Sequence, residues 1–419
     1  MKKLLLNADL LTFSGPDAPR RGAEMRSVGL VRGGALLWED GKILAVGLRE
    51  LVQRHPDADK ARILDGSGRV VLPGFIDCHT HPVFAEPRLR DYELRSQGKS
   101  YAEIAAAGGG IVSSVRGVRG TDVETLARGL FERAQRFLEC GTTTIEAKSG
   151  YGLDLDSELK MLRAIKAAAA GSPLEMHATF LGAHAVPPEY AGRAAEYVDH
   201  LIATVLPAVT KEGLARFADA FCEEGYFDAK LTERFLSACK AAGLAPRVHA
   251  EQFKHSGGAL LAARLGALSA DHLDRVDDAD LAALKEAGVV ACLVPGSNHF
   301  LGLSEFPPAR KIIDAGVPVA LATDFNPGTC PCWNLQEILS IAVSRMKMTA
   351  EEVLCAATVN AAHALGLGKT HGSLEAGKAA DFLLLDCKDY REIPYWFGAN
   401  LAGTVFKRGA VVHGQNLAL

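Results

Sequence analysis

The sequence predicts an α/β protein: a (β/α)8 barrel, with a small β-sandwich domain built from both termini. Three observations predict it. Through the middle of the chain, eight short apolar runs alternate with Ala-, Leu-, Glu- and Arg-rich helical stretches. The two flanks share another texture, short β-type runs broken by Gly, Asp and Asn. The apolar runs also end on histidines more often than packing explains.

Residues 1–69 contribute LLLNADLLTF, GALLWEDGKILAVG and ARILDGSGRV. Asp40-Gly41 between two apolar runs is a two-residue hairpin signal. The tail from 374 to 419 repeats the texture in GKAADFLLLD and GTVFKRGAVVHG, with a second hairpin at Lys407-Arg408-Gly409. Termini of a domain often lie close together, so the two ends are expected to pair into one domain around a barrel over 70–373. The barrel runs fall near 70–78, 141–147, 174–181, 217–222, 246–250, 268–272, 289–294 and 317–323. Helical stretches at 122–139, 156–170, 228–242, 256–265 and 277–287 separate them, and a helical segment over 333–365 closes the barrel. A doubly wound open sheet is the alternative, but no GxGxxG follows a strand.

The stretch 70–84, VVLPGFIDCHTHPVF, reads as one buried strand interrupted by Pro73 and Gly74. Residues two apart in an extended chain point the same way, so His79 and His81 can aim two imidazoles at one point. Alone, such a pair also fits two ordinary loop histidines. The chemistry of a parallel barrel gathers at the carboxyl ends of its strands. In order, the ends offer His79 and His81; Glu146, Lys148 and Tyr151; His177 and His184; Asp219, Glu223 and Glu224. The fifth to eighth offer His249, Glu251 and Gln252; Asp271 and His272; Ser297, Asn298 and His299; Asp324 and Asn326. Three imidazoles and a carboxylate suit one divalent ion with a position left for water, and His79, His81, His249 and Asp324 are that set. Asp324 is placed to take a proton from water. His272 is placed to shuttle it or steady an oxyanion, or else only to orient a ligand.

Bulk properties exclude several classes. The 419 residues are 48% hydrophobic and 23% charged, with a net charge of -4, so no basic footprint points to nucleic acid. Nine cysteines without paired zinc spacing fit reduced thiols and a cytoplasmic setting. The start, MKKLLLNADLLTF, resembles a signal peptide only until Asn7, and no run approaches the roughly 20 apolar residues of a membrane span.

PGFIDCHTHPVFAEPR, EAKSGYG, TFLGAHAVP, HAEQF, SADHL and ATDFNPGTCP, in this order, resemble the amidohydrolase superfamily, and within it the imidazolonepropionase family, over essentially the whole chain. The resemblance implies hydrolysis of 4-imidazolone-5-propanoate to N-formimidoyl-L-glutamate with one Zn2+ or Fe3+, and a homodimer. It also implies that Arg88, Tyr151, His184 and Gln252 hold the substrate, with Asn326, Gly328 and Thr329 lining the same pocket. A guanidinium suits the propionate of this small anionic substrate, although Arg88 alone reads equally as a solvated loop residue. Tyr151 between two glycines can approach a ligand or pack on the rim, and the Asn326 turn can offer backbone N–H groups to an anion or be a plain tight turn. Relatives that deaminate nucleobases carry Glu where this chain has Gln252, which cannot shuttle a proton. Lys148 falls on the second strand, not the fourth, where relatives with two metals have a carbamylated lysine, so one metal is expected. Lys148 itself stays open between a structural cation near Glu146 and a substrate contact, and Glu251 has no assigned role. A cyclic amidine or nucleobase deaminase, a non-catalytic scaffold and a sugar deacetylase are the rival readings.

Overall fold

The computed structural model describes residues 1–100, 103–104 and 107–414. The head of the chain gives β1 (Lys3–Leu11), β2 (Leu30–Glu39), β3 (Lys42–Gly47), β4 (Arg62–Asp65) and β5 (Val70–Pro73). The middle gives β6 (Phe75–Asp77), β7 (Thr142–Lys148), β8 (Glu175–Ala183), β9 (Phe217–Cys222), β10 (Ala245–Ala250), β11 (Ser269–His272), β12 (Val290–Leu293) and β13 (Val319–Leu321). The tail adds β14 (Phe382–Leu385), β15 (Ala402–Lys407) and β16 (Ala410–Gly414).

Strands β6 to β13 form one eight-stranded sheet in sequence order, all neighbours parallel. The sheet closes just beyond β6 and β13. His79 O accepts from Asp324 N at 3.0 Å, and His81 N donates to Phe325 O at 2.8 Å. The seam of the barrel is therefore made by residues of the predicted metal set. The helices between strands start where the sequence provides an acceptor: Asp122, Asp154, Asp228 and Asp277 each accept a backbone N–H three residues on.

The other eight strands make a mixed sheet of order β16-β15-β14-β5-β1-β2-β3, with β4 pairing β1, so both termini share it. Its hairpins turn at Asp40-Gly41 and Arg408-Gly409, all four residues at positive φ, the geometry of a two-residue turn that follows strand twist. The two tips meet: Trp38 Nε1 and Lys3 Nζ both donate to Gly409 O, at 3.1 and 2.9 Å. Trp38 packs edge-on to Phe382 and Phe406, joining head and tail in one apolar cluster.

One expectation fails here. The run 70–76 is two strands in two sheets: β5 pairs with β1 and β14, and β6 pairs with β7. Pro73 and Gly74 are the physical reason, since proline has no N–H to continue a ladder. The chain uses this break to pass from the terminal sheet into the barrel.

A buried ion cluster bolts the sheet to the foot of the barrel. Lys407 Nζ on β15 donates to Asp381 at 2.6 Å and to Glu175, at the start of β8, at 3.0 Å. His371 Nε2 lies 3.4 Å from both carboxylates. Burial opposes charging His371, but Asp381 and Glu175 outweigh it and raise its pKa. Its contribution to stability is thus complete below the ordinary histidine range and is lost as pH climbs through its raised folded pKa. Replacing Lys407 by Met leaves two carboxylates with only the more distant His371 and Arg408 to balance them. Urea unfolding of Lys407→Met should show a loss of about 3–5 kcal/mol, and an unchanged midpoint would remove this cluster from the account.

Candidate active site

A layer of buried charge lies inside the barrel. Lys148 Nζ, fully buried on β7, donates to Glu146 at 2.6 Å and to Asp219 on β9 at 2.7 Å, and lies 3.9 Å from Asp271 on β11. Arg247 on β10, also fully buried, donates to Asp271 at 3.1 Å and to the Cys78 carbonyl at 2.6 Å. Burial alone would neutralise these groups. For Lys148 the Asp219 and Glu146 carboxylates outweigh it and raise the pKa. For Asp219, burial is likewise outweighed, by His249 and Lys148, which hold it well below the usual carboxylate range. Glu146 also accepts from Thr179 Oγ1 and, at 3.3 Å, from Thr80 N.

The imidazoles stand against this layer. His79 Nδ1 is 2.6 Å from Asp271 Oδ2, and His249 Nδ1 is 2.9 Å from Asp219 Oδ2. Asp271 holds the proton on His79 Nδ1, which turns Nε2 toward the cluster with a free lone pair, and Asp219 sits close beside His249 Nδ1 and directs Nε2 the same way. His81 Nε2 is 3.4 Å from His249 Nε2 and 3.5 Å from Asp324 Oδ1, and His79 Nε2 is 3.6 Å from the same oxygen. The ring centroids of His272 and His249 are 5.3 Å apart. Burial holds His79 and His81 well below the ordinary histidine pKa and pushes His184 and His272 down to about 3, so these four are neutral. Burial pushes Asp324 up to about 7. Among the described residues, His79 Nε2 is buried with no hydrogen-bond partner. His79, His81 and Asp324 offer ligand atoms within 4.8 Å of one another, as do His79, His249 and His272. Neutral imidazoles, an orphaned ring nitrogen and a carboxylate that needs a cation to ionise fit a metal ion.

The cluster opens into a small inner chamber of about 50 Å3, lined by His81, Tyr151, His184, His249, His272 and Asp324, together with Arg88, Gln252, Asn326 and Thr329. Arg88 is 7% exposed, donates from Nε to Ser114 at 2.8 Å and lies 5.5 Å from the Tyr151 ring centre. It is not a solvated loop arginine. Gly328 makes room for it, because a Cβ there would collide with Arg88 Nη1. His184 Nδ1 is 2.9 Å from the Gly150 carbonyl, so that nitrogen carries the proton and Nε2 is left as an acceptor.

Residues 70–412 match the model of the amidohydrolase family. The chain belongs to the amidohydrolase family. The imidazolonepropionase of Solibacter usitatus (strain Ellin6076) is 48% identical to it over 413 residues, 98% of this chain and 99% of that protein. The imidazolonepropionase of Geobacillus kaustophilus (strain HTA426) is 44% identical over 96% of each. Among solved structures, E. coli guanine deaminase aligns with TM-score 0.72 at 20% identity, covering 99% of this chain and 100% of that one. An adenosine deaminase from Xanthomonas campestris with bound zinc aligns with TM-score 0.70 at 19% identity, covering 99% and 94%. At these identities the structures share the fold.

Several strand-end expectations change within this amidohydrolase barrel. His177 lies near the amino end of β8, which runs on to Ala183, and its Nε2 meets Glu175 at 3.0 Å at the barrel foot. His299 sits on a short helix after β12 and lines, with Phe300 and Trp333, a pocket outside the chamber. Asn326 Oδ1 accepts from Gly328 N at 2.9 Å and Thr329 N at 2.7 Å, so that turn has no such N–H groups to give an anion. Glu251 accepts from Ser256 N and Ala259 N, at 2.5 and 3.0 Å, and shapes the start of the next helix. Lys148 is a cation of the buried layer and is absent from the chamber lining. Glu158 was not singled out in the sequence: it accepts from Gly150, Gly152 and Leu153 N–H groups and sets the loop that carries Tyr151. A glutamate four residues beyond an Asp N-cap has no local signature for that role.

Replacing Lys148 by Met strands Asp219 and takes from Glu146 its closest cation in a dry interior. Chemical denaturation of Lys148→Met should show a loss of about 3–5 kcal/mol, and a native midpoint would contradict the role given to this lysine.

Proposed function

We propose that this chain is a metal-dependent hydrolase that opens the ring of 4-imidazolone-5-propanoate, giving N-formimidoyl-L-glutamate in histidine degradation. The observation that carries the substrate is the 48% identity to a protein named imidazolonepropionase, over 98% of one chain and 99% of the other. The site agrees: a buried Arg88 at the chamber can take the propionate.

One Zn2+ or Fe3+ held by His79, His81, His249 and Asp324 would act as a Lewis acid and make hydroxide available near neutral pH. The chain's own groups do the rest. Arg88 binds the propionate and fixes the ring in the chamber. Tyr151 and His184 flank the ring, with His184 Nε2 as an acceptor for a ring N–H, and Gln252, Asn326 and Thr329 complete the substrate pocket, with Gly328 at its outer edge. Asp324 and His272 take the proton of the attacking water, and the hydroxyl adds to the ring carbonyl carbon. His272, kept neutral by burial, returns that proton to the ring nitrogen as the C–N bond breaks. Water is consumed, the amide becomes a carboxylate, and no ammonia is released. A cytoplasmic setting and a homodimer belong to the same reading; all nine cysteines are unpaired, and among the described residues no helix is long and apolar enough to cross a membrane.

The purified protein should bleach the ultraviolet absorbance of imidazolone propionate without releasing ammonia. Stoichiometric ammonia would instead identify a deaminase. His272→Ala should keep its metal content and lose about 10²–10⁴-fold in kcat, whereas Arg88→Ala should mainly raise KM; unchanged turnover in the first variant would remove His272 from the chemistry.

A further inference from the structure

A cavity of about 590 Å3 lies outside the inner chamber and shares Arg88, Gln252, Phe253 and Thr329 with it. The 50 Å3 inner chamber is too small for a ligand to wait in while another is bound, and the outer one is not. Most charges around the outer cavity are already matched. Arg275 pairs with Glu305, and Lys99 lies 3.2 Å from Glu103. Asp91 accepts from Gly110 N at 2.8 Å and makes no ion pair among the described residues. Burial pushes Asp274 up to about 7, and it accepts from Asn298 at 2.5 Å.

Arg88 and Arg95 remain, on either side of one residue. Arg95 Nη2 donates to Gly328 O at 3.1 Å, while the Cα of Gly328 faces the Arg88 guanidinium. Burial lowers the pKa of Arg95, the nearby Asp91 carboxylate opposes that shift more than the Arg88 guanidinium adds to it, and the Arg95 guanidinium carbon lies 4.8 Å from the Phe300 ring centre, which fixes its direction. Arg95 Nη1 is buried and has no hydrogen-bond partner among the described residues. A buried guanidinium N–H without an acceptor is costly, and a visiting carboxylate lodged between Arg95 and Arg88 would relieve that cost.

We propose that the outer cavity is a carboxylate antechamber, with Arg95 as the positioning residue that holds the ligand's carboxylate on its way to and from Arg88. This rests on the reading that the substrate is imidazolone propionate. Ring opening adds a second carboxylate, so the outgoing product carries two carboxylates, one for each of two flanking arginines. The ligand class is therefore a short dicarboxylate or a propionate-bearing ring.

Arg95→Met and Arg95→Lys in the full chain test it, with glutarate as a plain dicarboxylate probe. In Arg95→Met, kcat/KM at low salt should fall about tenfold while kcat stays within about twofold. The gap should close as salt screens the wild-type advantage, Arg95→Lys should recover part of the loss, and inhibition by glutarate should weaken about tenfold. Unchanged kcat/KM and glutarate inhibition would overturn the proposal. So would a fall in kcat at constant KM with a lower denaturation midpoint, which marks Arg95 as only a pin on the Gly328 turn. If wild type does not consume imidazolone propionate, the proposed substrate fails separately. Calorimetric titration of glutarate into wild type and Arg95→Met then still decides the antechamber: equal affinities overturn it.

Discussion

The contact between Lys148 and Asp219, 2.7 Å long and sealed from water, is the constraint on which the site depends. Asp219 orients His249, and Asp271, neutralised by Arg247, orients His79. Two buried cations face three carboxylates, Glu146, Asp219 and Asp271. The layer is one charge short of neutral, which favours a cation above it. Ion pairs this deep add little net stability, since desolvation consumes their attraction. What they supply is direction: each imidazole has one tautomer and one orientation.

Backbone strain gathers at the same level. Glu251, His272, Leu273 and Asp324 have φ of 55°, 76°, 62° and 55°, a region that residues with a side chain rarely adopt. Each costs on the order of 1–3 kcal/mol and persists because neighbours hold it. Leu273 N donates to Ala250 O, Arg275 N to Glu251 O, and Asp324 N to His79 O. The chain turns sharply as it leaves β10, β11 and the end of the eighth strand, so that polar side chains point inward, not up into solvent.

Much of this was legible in the sequence, and the limits are physical. Short apolar runs located the barrel strands, and Ala-, Leu-, Glu- and Arg-rich stretches located the helices, because both signals are local. The pair His79 and His81, with His249, His272 and Asp324 at later strand ends, could be read as one set because a parallel barrel brings strand ends together. Partnerships could not. Lys148 meets Asp219 across 71 positions and His79 meets Asp271 across 192, and nothing local to either residue names the other. His177 and His299 show the converse error: a histidine near an apolar run looks like a strand end until the strand's length is known. The break at Pro73 and Gly74 was visible, but its consequence, a change of sheet, depended on β14, some 300 residues away.

The central claim is that His79, His81, His249 and Asp324 converge on a single ion. Anomalous diffraction at the zinc and iron edges, from crystals of the active protein as purified, tests it most directly. One peak is expected, bonded to the Nε2 atoms of the three histidines and to a carboxylate oxygen of Asp324. An active protein with its ion elsewhere, or with none, would contradict it.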